Sequence, residues 1–241
     1  MNCSCCQSGP EENKIILSGQ QNGDRNIYSC SNCKHIFRDY SYIDLDRYYN
    51  EQYRRTLKGT ELADREILLE RDGRLINLIK SYIKKEDKIL ELGSGDGNFA
   101  SLLKENINSI DITCCEKDKD LSKICEARGH KVINEDFFDI STTACDTFAG
   151  FDVLEHILDL QKFIKKIKKL EFKKVILQVP IKRNIHNKPI FDGHFHYFSE
   201  ESICKLFHEY NVSFLYETAR GETKNGQEMI VIFTVKMENK I

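Results

Sequence analysis

An α/β fold follows from three features of the 241-residue chain. It should have a mostly parallel, seven-stranded sheet with helices on both faces and a closing antiparallel hairpin. The first feature is the stretch Lys88–Phe99, KILELGSGDGNF. Its apolar run (Ile89, Leu90, Leu92) stops at glycines in every second position, Gly93, Gly95 and Gly97. That reads as a buried strand entering a tight loop, with a helix over Phe99–Glu105 leaving it. The second is the strand-then-helix alternation that continues to Pro180. The third is a pair of alternating β-prone segments, Asn211–Ala219 and Glu228–Lys236, joined by the turn-forming RGETKNGQ.

Taken in order, the chain opens with an appendage, Met1 to about Tyr40. Cys3 and Cys6 form one C-x-x-C, and Cys30 and Cys33 another. Two such pairs read as a tetrahedral four-thiolate zinc site, because cysteines three apart on a turn aim both sulfurs at one ion. The polar segment between them has no core of its own, so the metal would be its core. Cys5 and His35 are alternative ligands, and a reduced thiol cluster or a labile disulfide are alternative states. Four sulfurs leave no open coordination position, so the zinc would be structural. The remaining cysteines (Cys114, Cys115, Cys125, Cys145, Cys204) fall in predicted strands and helices, as small buried apolar residues do. Residues 41–60 are a connector rich in tyrosine, and 61–241 form the main domain. Glu61–Ile83 has helical spacing of Leu62, Leu69, Leu75, Leu78, Ile79 and Ile83, with Gly73 as a candidate bend.

After the glycine loop, Ser109–Cys115 is the second strand, with Glu116 at its end. An acid about 20 residues past such a loop is placed to accept hydrogen bonds from a ribose diol. Asp120–Arg128 is a helix ended by Gly129. Lys131–Phe138 is the third strand and Cys145–Asp152 the fourth. FDVLEHI (Phe151–Ile157) puts Glu155 and His156 on the first turn of the next helix. Asp159–Leu170 is an amphipathic helix whose five lysines read as a solvated face. Lys174–Pro180 is a buried strand. Ile181–His196 is a long loop ending in Asp192, His194 and His196, and loops of that length inside a domain are often functional. The two histidines would share a side if the segment is extended. They are candidates for a site role, or with Asp192 for a metal. Ser199 caps a helix over Glu200–Tyr210.

Bulk composition narrows the function class. The chain carries 36 basic and 38 acidic side chains, a formal net charge of −2. That gives no general affinity for nucleic acid or membranes. No apolar run approaches a membrane span, and the N-terminus lacks a basic-then-apolar leader pattern. With thiols and a metal rather than a disulfide framework, the expected compartment is the cytoplasm.

The pattern E-x-G-x-G-x-G over Glu91–Gly97 resembles motif I of the class I S-adenosylmethionine-dependent methyltransferases. The resemblance runs from about Asp72 to Lys236 and implies a Rossmann-like sheet. A nicotinamide-binding loop would read G-x-G-x-x-G, so an NAD-dependent oxidoreductase is the disfavoured rival. A zinc module that binds RNA or protein on a relic core is the other. The resemblance implies that Glu91, Gly93, Ser94, Gly95 and Gly97 shape the methionine and ribose pocket. Glu116 then holds the ribose, with Lys117 beside it as a further cofactor-binding residue; Asp136 with Phe137 holds the adenine, and Phe151 with Asp152 lie near the sulfonium. Asp136 also reads as a simple turn cap. D-V-L-E-H and D-G-H-x-H-x-F-S resemble segments of glycan and small-molecule methyltransferases. The second borders their acceptor pocket, making His194 the first candidate base, with His156 and His196 after it. A Y-Y-x-x-x-Y element like that of the connector can fold over the cofactor in such enzymes. The zinc knuckle with D-V-L-E-H is similar to the N-terminal portion of sugar-nucleotide C-methyltransferases, which continue into a further domain. The expectation is therefore O-methylation of a sugar, nucleotide-linked intermediate or glycan substituent, with C- or N-methylation as the alternative.

Overall fold

The apolar run at Lys88 is strand β4 (Lys88–Leu92), at the centre of the larger of two sheets. The computed structural model describes residues 1–17, 26–39, 62–181, 194–218 and 227–235. The Tyr-rich connector, Asp192 and Gly193 lie outside the described residues. The other strands are β1 (Asn13–Leu17), β2 (Ile27–Cys30), β3 (Ile36–Arg38), β5 (Asp111–Cys115), β6 (Lys131–Ile133) and β7 (Thr147–Phe151). They continue with β8 (Lys174–Ile181), β9 (His196–Tyr197), β10 (Tyr210–Thr218) and β11 (Gln227–Val235). The helices are α1 (Leu62–Ile79), α2 (Asn98–Asn106), α3 (Lys119–Ala127), α4 (Leu160–Lys169) and α5 (Glu200–Leu206).

The larger sheet runs β6-β5-β4-β7-β8-β11-β10. Its β6 to β8 section is parallel, and the β10–β11 hairpin joins it antiparallel through β11 on β8. The order reverses between β4 and β7, and ligands in open α/β sheets sit beyond the strand ends at such a switch point. Alternate side chains of β4 feed opposite faces. Ile89 packs with Leu75, Ile79, Phe99, Leu103 and Ile112, whereas Leu90 packs with Phe148, Phe163, Ile167, Val175 and Leu177. Two apolar layers, one on each face, are what a doubly wound sheet requires.

Several expected boundaries shift, each for a local reason. The third strand stops at Ile133 rather than Phe138. There Asn134 Nδ2 donates to the Glu116 carbonyl at 2.7 Å, and Asp136 accepts the Phe138 N–H at 2.9 Å, so turn bonding replaces the ladder. α5 ends at Leu206, where Phe207 leaves helical geometry; Ser199 caps its start with a reciprocal Ser202 contact. Gly73 neither breaks nor ends α1. Lys166 leaves the solvated face of α4: it is buried, and its ammonium donates to the carbonyls of Phe138 and Ile140. Burial lowers its pKa, and its stem closes the Phe137–Ile140 loop over the core.

The smaller sheet is β1-β2-β3-β9. β9, expected as loop, is pulled into register with β3 (Ile36 opposite Tyr197, Phe37 opposite His196). The N-terminal cysteine segment therefore shares a sheet with the chain that carries His194 and His196. Gln161 Nε2 donates to the Ser4 carbonyl at 2.9 Å, and Ser199 Oγ to the Cys33 carbonyl at 2.8 Å. Among the described residues no helix is long and apolar enough to cross a membrane.

Candidate active site and metal centre

Strands β4, β5 and β7 end level, since Leu92 is opposite both Cys115 and Gly150. The glycine loop leaves that edge with Gly93, Gly95 and Gly97 at φ of +69°, +56° and +81°. Only glycine takes these values without strain. A Cβ at Gly93 would lie 2.9 Å from Val153, and one at Gly97 2.7 Å from Cys125 Sγ. At Gly95 it would meet no atom within 4 Å, so the loop's middle faces open space. Glu116 is fastened to this loop: its carboxylate accepts the Gly95 N–H at 2.9 Å and the Asp118 N–H at 2.8 Å. Asp118 in turn caps α3. Arg128 clamps the far side, reaching Asp96 at 2.8 Å and Asn98.

A set of carboxyls surrounds that space. Glu91 is buried, and its carboxyl is pushed up to about 8, first by desolvation and then by the charges of Asp72, Glu116 and Asp96. Cys114 Sγ lies 3.7 Å from it, and the Ser94 hydroxyl contacts the Cys114 and Cys125 thiols. Burial also raises Asp72 and Glu116, opposed at Glu116 by its two backbone N–H donors. Asp152 ends β7 in the left-handed region, φ +53°, which a non-glycine residue adopts at a cost. Arg71 holds it there, donating to Asp152 Oδ2 at 2.5 Å and to Asp72 at 3.0 Å. The sequence signal for Arg71 and Asp72 was charge inside the half-apolar pattern of α1, and that for Asp96 an acid between two loop glycines. Phe151 lies against Phe99, with ring centroids 4.2 Å apart. Lys117 is exposed. Asp136 makes the turn-capping contact with Phe138. The Phe137 ring is buried in the core, tilted against Phe148 and Phe163, whereas it was expected beside a bound base; half-buried Phe138 is the neighbouring aromatic nearer the surface.

Beyond Asp152, a 3₁₀ turn (Leu154–His156), separate from α4, presents Glu155 and His156. His194 comes to them from 38 residues later, because the Phe195 N–H donates to the Glu155 carbonyl at 2.8 Å and β9 is anchored on β3. His194 Nε2 lies 3.9 Å from Glu155 Oε1, and the His194 and His156 rings are crossed at 85° with centroids 4.9 Å apart. The Glu155 side chain is 1% exposed and that of His194 19%, so the group opens outward at the histidine. His196 does not join them. It is fully buried, its Nε2 lies 2.8 Å from the Ile157 carbonyl, and it stacks on His35. Burial holds its pKa well below the usual imidazole value. His196 thus stands apart from the Glu155–His156–His194 group, enclosed where β9 pairs with β3.

The comparisons with known proteins bear on this arrangement. A family profile described as "Methyltransferase domain" matches residues 65–216. The chain belongs to the methyltransferase domain family. Among solved structures, the methyltransferase domain of a bacterial Hen1 (CtHen1) is similar at 22% identity and TM-score 0.55, covering 70% of this chain and 100% of that one. Magnesium protoporphyrin IX methyltransferase from Synechocystis PCC 6803, with bound S-adenosylhomocysteine, is similar at 11% identity and TM-score 0.60, covering 79% and 98%. A possible histamine N-methyltransferase from Thermotoga maritima is similar at 17% identity and TM-score 0.54, covering 72% and 94%. No curated protein sequence matches the chain. The methyltransferase has the class I fold of S-adenosylmethionine-dependent enzymes, with the glycine loop, Glu116 and Asp152 at the sheet edge where that fold puts its ligand.

The methyltransferase carries a second constellation in its N-terminal segment. The sulfurs of Cys3, Cys6, Cys30 and Cys33 all lie within 4.8 Å of one another. Cys3–Cys33 and Cys6–Cys30 are separated by 3.6 Å and 3.7 Å, and all four are free thiols. Tetrahedral Zn–S bonds of about 2.3 Å space sulfurs about 3.8 Å apart, so the set fits zinc. Backbone N–H groups of Cys6, Asn32, Cys33 and His35 lie toward the sulfurs and oppose the rise that burial imposes on Cys30 and that Cys3 and burial impose on Cys33. The Cys3 thiol is drawn down to about 3, chiefly by its Cys33 contact. Cys5 is outside the set, its thiol against Ser202 and its burial raising its pKa. His35 lies behind it, Nδ1 3.5 Å from Cys3 Sγ, stacked on Phe37, His196 and Phe198.

Proposed function

We propose that this methyltransferase moves the methyl group of S-adenosylmethionine to a hydroxyl of a sugar, a nucleotide-linked intermediate or a glycan substituent. The observation that carries this reading is the convergence of Glu155, His156 and His194 just past the Asp152 end of the donor edge. An amine attacks with its free lone pair, whereas a hydroxyl must lose a proton, and a buried carboxylate behind crossed imidazoles is apparatus for that. In the ion-free cluster His194 takes the acceptor proton, with Glu155 behind it and His156 as the second candidate. The acceptor oxygen then bonds to the methyl carbon as the C–S bond breaks. Its electron pair stays on sulfur, and S-adenosylhomocysteine leaves. Such alignment needs the reacting atoms about 3–3.5 Å apart and in line.

On the donor side, Glu91, Gly93, Ser94, Gly95 and Gly97 shape the methionine and ribose pocket. Glu116, with Lys117 beside it, holds the ribose; Asp136 lies toward the adenine; Phe151 and Asp152 lie near the sulfonium. The carboxyl set suits a ligand carrying ammonium and sulfonium charges. Cys3, Cys6, Cys30 and Cys33 hold a structural zinc, which adds to the small apolar contacts of Ile27, Phe37 and Tyr197 in tying that segment together. The enzyme's compartment in this reading is the cytoplasm, and its partner is the small-molecule acceptor.

The acceptor reading is tested with the full-length, zinc-loaded protein and methyl-labelled donor. The panel contains nucleotide sugars, free sugars, phenols and amines. A labelled methyl ether is expected; label found on nitrogen or carbon alone overturns O-transfer. A second expectation comes from Glu91. Its carboxyl is half-protonated near 8 in the free protein, and a cationic donor prefers the carboxylate. Binding at neutral pH then releases protons, so donor affinity rises between about pH 6 and pH 8. Calorimetry in two buffers of different ionisation enthalpy measures the release. Affinity that is flat or falls over that interval contradicts it.

A further inference from the structure

We propose that Glu155, His156 and His194 hold a divalent transition-metal cation, and that this ion binds the acceptor through two adjacent oxygens. The proposal rests on the reading of this cluster as the acceptor site. One carboxylate oxygen and two imidazole nitrogens lie within 4.8 Å of one another. Metal bonds of about 2.1 Å space neighbouring ligands about 3.0–3.4 Å apart. The 3.9 Å from Glu155 Oε1 to His194 Nε2 is about 0.5–0.9 Å wider, within reach of a side-chain rotation. The rings crossed at 85° bring their nitrogens in from different directions.

The backbone behind the cluster is fixed. The His156 N–H donates to the Val153 carbonyl at 3.0 Å, and the Phe195 N–H to that of Glu155 at 2.8 Å. A carboxylate this enclosed is stable as an anion beside a cation. The contrast with the cysteine set is chemical: four thiolates close a coordination sphere, whereas two histidines and one carboxylate leave positions open. With His194 partly exposed, those positions face solvent and the acceptor.

Open positions side by side select an acceptor that chelates: a vicinal diol, a catechol or a hydroxy-carboxylate. The ion lowers the pKa of the bound hydroxyl, whose proton leaves to solvent water. The resulting alkoxide forms the O–C bond as the donor's C–S bond breaks, with the electron pair kept by sulfur. No electrons are exchanged with the ion.

The test uses full-length protein with zinc in the cysteine set, titrated with Mn²⁺, a probe that thiolates take poorly. Free Mn²⁺ is followed by electron paramagnetic resonance, so no acceptor is needed. One Mn²⁺ per chain is expected, bound roughly 10–100-fold more weakly by His194→Ala and by Glu155→Gln. S-adenosylhomocysteine affinity, measured on the same samples, shows that each variant is folded. His194→Ala serves if the buried Glu155 change fails to fold. No bound Mn²⁺, or binding that neither variant weakens, overturns the proposal. Absence of Mn²⁺ with transfer still slowed by His194→Ala rejects the ion while leaving His194 as the direct base. Transfer unaffected by His194→Ala rejects the acceptor reading itself.

Discussion

Replacing His194 with alanine lowers methyl transfer by roughly 10²–10⁴-fold, the range for loss of proton removal, whether His194 takes the acceptor proton itself or holds the ion that acidifies the hydroxyl. The affinity for S-adenosylhomocysteine stays close to that of the parent. The separation follows from where the residues sit. The glycine loop and Glu116 belong to β4, β5 and the turns after them, and Glu116 bonds locally, to the Gly95 and Asp118 N–H groups. Among the described residues His194 meets Glu155 at 3.9 Å, the His156 ring, and Tyr197 with ring centroids 5.6 Å apart. Being partly exposed, it can be truncated at small cost to folding. Single-turnover rates alongside calorimetric donor binding check the result. Near-parental turnover removes His194 from the chemistry; equal losses in binding and turnover make it a donor-site residue.

Removing zinc from the cysteine set is expected to slow transfer by about 10²-fold, although no cysteine approaches the acceptor group. The link is mechanical. β3 follows the Cys30–Cys33 turn directly and pairs with β9, Phe37 opposite His196. His35 stacks between Cys3 and His196. Without the ion the segment loses what holds its ends together, β9 loses its partner strand, and His194 moves. A displacement of about 1 Å at a reacting group costs about 10²-fold. Metal analysis should give one zinc per chain in this set. Chelation, or Cys33→Ser, should lower turnover with donor affinity held within about threefold, an interval that leaves the sheet edge intact. Full turnover after zinc loss would make the N-terminal segment an independent binding module.

Much of this was legible in the sequence because it depends on short-range spacing. Gly93, Gly95 and Gly97 announced a strand-to-helix loop and the paired C-x-x-C motifs a tetrahedral sulfur set; Glu116 was expected to face a ribose diol, and its bond to the Gly95 N–H was not foreseen. The structure adds what spacing alone does not encode. Glu155 and His194 stand 39 positions apart, and Arg71 and Asp152 81; each pair is made by the packing of separate elements. β9 is two residues long, too short for periodicity to register. Lys166 matched a solvated helical face until the Phe138 and Ile140 carbonyls beneath it supplied acceptors. His194 and His196 were expected on one side of an extended piece. Their surroundings differ because β3 closes over His196 while His194 precedes the paired residues. Phe137 followed an acid at a strand end, but the strand stopped early and the ring turned into the core.

Titration of the full-length protein with S-adenosylmethionine and S-adenosylhomocysteine tests the central claim most directly. The carboxyl-ringed glycine loop predicts saturable heat at one site per chain, lost or strongly reduced in Glu116→Ala. No heat with either compound, from protein shown to be folded, would contradict it.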